Sequence, residues 1–204
     1  MKHADTLDGL VRRSDSLMTA LRAARALDLP DWLIFSGAVY QKVFNHLTGR
    51  PEDYGLKDYD LAYFDGSDTG WDAEDRVIRR AAAELPPPLD SLVEVRNQAR
   101  VHLWFEGRFG EPYAPLSSSA EALERFVSTA NAVGVRLEAD DRLTIAAPFG
   151  LEDLFSLRLR PNPLRSATGF RAKVEGVVAR WPELAVEDCA SEGSPGRGRG
   201  GVHL

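Results

Sequence analysis

Apolar and polar positions along the chain alternate with two different periods, and the switches between them outline a mixed α/β architecture. The period near 3.6 predicts a helix capped by Ser14, with Leu17, Leu21, Ala24 and Leu27 on one stripe and Pro30 as its stop. Trp32–Phe35 reads as a strand, followed by a helix over Ala38–Leu47 with Val39, Val43 and Leu47 inward and Gly49 as its C-terminal stop. From Leu56 to Asp65 the period becomes two: Tyr59, Leu61 and Tyr63 share one side, Asp58 and Asp60 the other. A helix from about Asp72 to Leu85 follows, then Pro86-Pro-Pro88 and a strand over Leu89–Arg96. Asn97–Phe105 fits either period and is assigned as helix. Ser118-Ser-Ala-Glu121 has capping-box spacing and predicts a helix to about Asn131. Strands Val133–Leu137 and Arg142–Ala146 flank Asp140-Asp141, a pair better explained by a turn than by metal binding. A short helix over Leu151–Leu157 and a final one over Ser166–Arg180 complete a folded unit of residues 1–184. A Gly/Ser/Arg-rich tail, expected to be disordered, occupies 185–204.

Aspartate is a poor strand former, so two at i and i+2 on one strand face ask for a chemical reason. Side chains so placed repel one another, which raises the pKa of one unless a cation lies between them. Hard oxygen ligands of this kind suit Mg²⁺ or Mn²⁺. Glu94 puts a further acid inside the short apolar strand that follows. Ahead of them, Ser36-Gly37 joins a strand to a helix N-terminus, a place where unpaired N–H groups and the helix dipole bind phosphate. Lys42, in the early turns of that helix, is a candidate phosphate contact; its alternative is a solvated helix lysine. Arg96, Asn97 and Arg100 crowd in behind Glu94. They either line a site, neutralising or hydrogen-bonding a bound ligand, or brace the acidic strands. His102 reads as a hydrogen-bonded structural residue, and Arg158–Asn162 as a turn-rich structural segment.

The stretches SGAVYQKVFN, LTGRP, KDYDLAYFD, EVRNQARVHLWF, APFGLEDLF and RPNP, spread from about Asp31 to Trp181, resemble a bacterial nucleotidyltransferase-like family of the DNA polymerase β-like superfamily. The resemblance implies a nucleotidyltransferase fold, a small mixed β-sheet flanked by helices. It further implies that Asp58, Asp60 and Glu94 are the catalytic and metal-holding acids, with Ser36 and Gly37 on the phosphates of an NTP. The reaction would move an NMP group to a hydroxyl; the alternative is a nucleotide-binding module of the same fold that transfers nothing. In the superfamily a shorter segment usually separates the turn from the first acid, whereas twenty residues lie between Gly37 and Asp58 here. A loop after the helix accounts for the excess.

Composition narrows the partners. A net charge of −6 and an isoelectric point near 5.3 argue against long nucleic acids, leaving a small molecule or a protein as the expected acceptor. Cys189 is the single cysteine, so neither a disulfide framework nor a thiolate zinc site is expected. No apolar run reaches membrane-spanning length and the N-terminus lacks a secretory h-region, which makes a cytoplasmic location the expectation.

Overall fold

The computed structural model describes residues 1–165 and 167–187. In chain order the elements are α1 (Ala4–Arg13), α2 (Asp15–Ala26), β1 (Leu33–Phe35), α3 (Gly37–Thr48), β2 (Tyr59–Tyr63) and α4 (Trp71–Glu84). Then come α5 (Leu89–Leu92), β3 (Val93–Asn97), α6 (Phe105–Phe109), β4 (Gly134–Leu137), β5 (Leu143–Ala146), α7 (Glu152–Phe155), β6 (Arg158–Leu159), α8 (Ala167–Val178) and β7 (Ala185–Val186). Five strands form one mixed sheet in the order β3-β2-β1-β4-β5. The β2–β3 pair is parallel, joined through α4, and the remaining pairs are antiparallel. Among the described residues no helix is long and apolar enough to cross a membrane.

The alternation read along β2 places its residues as expected. Tyr59, Leu61 and Tyr63 enter the large core beneath the sheet, together with Ile34, Val95 and Val135. Helices α1 to α3 close that side with Leu7, Leu17, Leu21, Val39 and Phe44, all fully buried or nearly so. The opposite face carries a second, smaller cluster built on Leu33, Phe35, Ala62 and Leu123. Leaving one sheet face only partly covered is what gives Asp60 and Glu94 somewhere to project.

Several boundaries differ from the sequence reading for identifiable reasons. The apolar positions Leu7, Leu10 and Val11 form an additional helix, α1, ahead of Ser14. Ser14 then caps α2 as expected, its Oγ accepting from the Leu17 N–H at 3.2 Å. Leu47 is 40% exposed because α3 is buried along Ala38–Asn45 and leaves the core at its last turn. The strand expected from Leu89 begins only at Val93, where Tyr59 first offers a partner; Leu89–Leu92 is a single helical turn.

Instead of one helix to Asn131, two 3-10 turns cover Ala120–Arg125 and Thr129–Asn131. Asn162 separates them: its Nδ2 donates to the carbonyls of Glu124 (2.7 Å) and Phe126 (2.6 Å), and its N–H to Val127 O. The Asp140-Asp141 pair sits in the β4–β5 turn as read, with Asp141 at φ 60° and its carboxylate on Arg25. At the C-terminal end, Ala185–Val186 pair in parallel with Arg158–Leu159, so the folded unit runs past Leu184. The rest of the expected tail, 188–204 with Cys189, lies outside the described residues.

Candidate active site

Strand register sets two of the three acids, Asp60 and Glu94, side by side, while Asp58 precedes the strand. Asp60 pairs with Glu94 across the parallel β2–β3 ladder and with Phe35 across the antiparallel β1–β2 ladder. Phe35 is the residue before Ser36, so the acid and the turn into α3 are neighbours in space. Ser36 adopts φ 63° and ψ −132°, a conformation a side chain takes only at a cost of about 1–3 kcal/mol. Its N–H donates to Val133 O at 3.1 Å and its carbonyl accepts from Val39 and Tyr40, which locks the turn. The first N–H groups of α3, at Gly37 and Ala38, have no acceptor within the helix and stand at its positive end. A Cβ at Gly37 would lie 2.8 Å from Gln41 Nε2, so a larger residue there would have to displace the end of the Gln41 side chain.

The electrostatics of this corner are unbalanced. Burial is the largest cause pushing the Asp60 carboxyl up to about 6, and the nearby charges of Asp58 and Glu94 add to it. Lys173 and a hydrogen bond from Ser36 pull the other way without cancelling the rise. A desolvated carboxylate beside two more acids is an environment that favours a divalent cation, and all-oxygen donors fit a hard one. As the side chains stand, no group of three or more His, Cys, Asp or Glu among the described residues is gathered closely enough to hold a metal.

Asp60 and Ser36 open onto a cavity of about 730 Å³. Phe105, Phe109 and Phe126 supply much of its apolar wall, and Arg125, Arg165 and Lys173 its positive charge. The sequence reading missed this wall. The residues come from α6, from the end of the 3-10 turn and Phe126 after it, and from α8 and Arg165 just before it, segments distant in the chain that helix periodicity could flag only as ordinary amphipathic positions.

Three of the sequence candidates, Lys42, Asn97 and Arg100, are employed elsewhere. Lys42 is buried and points to the loop after α3, pairing with Asp53, with Glu52 Oε1 at 3.2 Å and with Ser16 Oγ at 3.0 Å. It is neither a phosphate contact nor a solvated lysine, but the anchor of the extra segment between Gly37 and Asp58. Asn45 pins the same loop through the carbonyls of Glu52 and Tyr54. Asn97 is committed at both side-chain atoms: Oδ1 accepts from Asp65 N and Ala99 N, and Nδ2 donates to Asp65 O. Arg100 forms a buried pair with Glu74, donates to Thr69 O at 3.2 Å and lies 5.4 Å over the Trp71 ring. Arg96 is exposed on the β3 edge, its Nη1 donating to Val95 O and its Nη2 3.9 Å from Glu94. So Asn97 and Arg100 brace the acidic strands and do not line the cavity.

His102 follows in a 3-10 turn, with a buried Nδ1 that has no hydrogen-bond partner among the described residues. It is therefore not the hydrogen-bonded residue the sequence suggested. Arg160 and Asn162 are structural, on Asp153 (2.6 Å) and the 124–127 segment respectively.

If Lys42 is a loop anchor, Lys42→Met should leave nucleotide affinity unchanged and lower stability by about 1 kcal/mol, because its partners are half exposed and rehydrate readily. Urea melts and a nucleotide titration check this together; a large loss of affinity in a folded variant would return Lys42 to the site.

The sheet order, the acids paired across β2 and β3, and the Ser-Gly entry to α3 define a nucleotidyltransferase head-domain fold. The chain matches the model of a family described as nucleotidyltransferase over residues 22–186, and it belongs to that family. A solved structure, described as an NMR structure revealing a CCA-adding enzyme head domain, has a TM-score of 0.73 at 22% identity. The match covers 93% of this chain and 98% of that one, a likeness of fold. No curated protein matches the chain.

Proposed function

We propose that the protein transfers an NMP group from a nucleoside triphosphate to a hydroxyl on a small molecule or a protein. The observation that supports this most is the pairing of Asp60 with Glu94 directly beside the strained Ser36 turn. Asp58, Asp60 and Glu94 would hold Mg²⁺ or Mn²⁺, which when bound neutralises the phosphates and lowers the pKa of the attacking hydroxyl.

The chain's own residues divide the remaining work. The N–H groups of Gly37 and Ala38, with the Ser36 hydroxyl, receive the β- and γ-phosphates at the helix N-terminus. Lys173, which lines the cavity and whose charge already reaches Asp60, offsets phosphate charge there. Glu94, exposed on the edge strand, is the acid with room beside it for an acceptor. The hydroxyl gives up its proton to solvent, its oxygen bonds to the α-phosphorus, the bond from that phosphorus to the bridging oxygen of pyrophosphate breaks, and pyrophosphate leaves.

One observation favours the second reading, a nucleotide-binding module without transfer: the acids are not gathered into a ligand set as they stand. Incubating the protein with each NTP, Mg²⁺ and cell extract separates the two by mass spectrometry. Products heavier by one NMP support transfer. Nucleotide binding with no such product supports the module.

A further inference from the structure

Buried asparagines in this fold show what a satisfied amide looks like. Asn45 donates to two carbonyls and accepts from the Trp181 indole N–H at 2.9 Å. Asn97 and Asn162 likewise use both side-chain atoms. Asn131 is the exception: it is 3% exposed, yet neither its Nδ2 nor its Oδ1 has a hydrogen-bond partner among the described residues. Buried polar side chains are nearly always paired, so an amide left open at both ends stands out. Asn131 also lines the cavity that contains Asp60 and Ser36. Its own carbonyl accepts from Val133 N at 3.0 Å, and Val133 O accepts from Ser36 N, which fixes it beside the phosphate turn.

We propose that this cavity is a nucleoside pocket and that Asn131 is its specificity-determining residue, reading the edge of the base. The inference rests on the nucleotidyl-transfer reading above and deepens it. An amide open at both ends needs a partner that both donates and accepts. A phosphate only accepts and would leave Oδ1 unpaired. A base edge sets an N–H beside a ring nitrogen or carbonyl, which asparagine matches with two parallel hydrogen bonds. The rest of the cavity suits the same occupant. Phe109, 55% exposed and backed by Phe105 at 4.7 Å between ring centroids, offers aromatic surface of the kind on which bases stack. At about 730 Å³ the space is within the usual range for a ligand of nucleotide size.

The test is calorimetric titration of the full chain with Mg²⁺ and ATP, GTP, CTP, UTP, their 2′-deoxy forms, and tripolyphosphate. Asn131→Ala and the near-isosteric Asn131→Asp are compared with the native chain, near-UV circular dichroism confirming the fold. The native protein should separate its best and worst bases by about tenfold or more, and Asn131→Ala should compress that spread to about threefold. Asn131→Asp, which keeps the shape but loses the donor, should reorder the preferences. Tripolyphosphate affinity should be unchanged in Asn131→Ala. An unchanged base preference in both variants would overturn the assignment. So would loss of ribose discrimination alone, which would mean that the amide reads the sugar. If the native chain binds neither nucleotides nor tripolyphosphate, the nucleotidyl-transfer reading itself fails.

Discussion

Asp60→Asn should abolish Mg²⁺-dependent nucleotide turnover and at the same time make the metal-free protein more stable at neutral pH. The two effects have one cause. Asp60 is pushed up to about 6 by burial and by two neighbouring acids, so charging it without a bound cation costs free energy. With a folded-state pKa above the unfolded one, the stabilisation is fully present below the unfolded value near 4 and is lost as pH rises through about 6. Above that pH the ionised site lowers stability by about 2–3 kcal/mol, which asparagine removes while still accepting from Ser36. In the absence of metal at pH 8, the Tm of Asp60→Asn should exceed that of the native chain by about 5–10 °C, and the difference should vanish near pH 4. Adding Mg²⁺ with nucleotide should raise the native Tm and leave the variant unmoved. A variant less stable than the native chain at pH 8 would mean that the Asp60 charge is compensated in the metal-free protein and would contradict this account.

Arg100→Met should be the most destabilising single change around the site, by about 3–5 kcal/mol, although the residue lies outside the cavity. Glu74 has a side chain only 2% exposed and depends on Arg100 as its counter-ion, so removing the cation leaves a charge buried alone. Glu74 Oε1 also accepts from Asn97 N at 2.8 Å, at the end of the strand that carries Glu94. The penalty should therefore extend to activity near the melting range. Pairing Arg100→Met with Glu74→Gln removes the stranded charge and keeps the acceptor for Asn97, so the double variant should recover much of the loss in a urea melt. Failure to recover would place the cost in the lost Trp71 and Thr69 contacts instead.

Much of the frame was legible because alternation is decisive where aspartates interrupt an apolar strand. Tyr59-Asp60-Leu61 can present its acid only to the face opposite the core, and Glu94 on the next apolar run can meet it if the strands pair in register. The braces were not legible. Glu74 in the first turn of a helix reads as a solvated dipole partner, and nothing local reveals that Arg100 will come to bury it. Lys42 misled for the opposite reason: its place near a phosphate turn is real, but helix geometry aims it at Glu52 and Asp53. The cavity wall was hidden because the expected helix to Asn131 is broken by Asn162, some thirty residues later in the chain. Local periodicity carries no information about a hydrogen bond made that far away.

The most direct measurement is to follow two labels, one on the α-phosphorus and one on the γ-phosphorus of the same NTP, in a reaction with extract and Mg²⁺. Nucleotidyl transfer places the α label on the acceptor and sends the γ label out as pyrophosphate. Appearance of the γ label on the acceptor, or an α label that never leaves the free nucleotide pool, would contradict it.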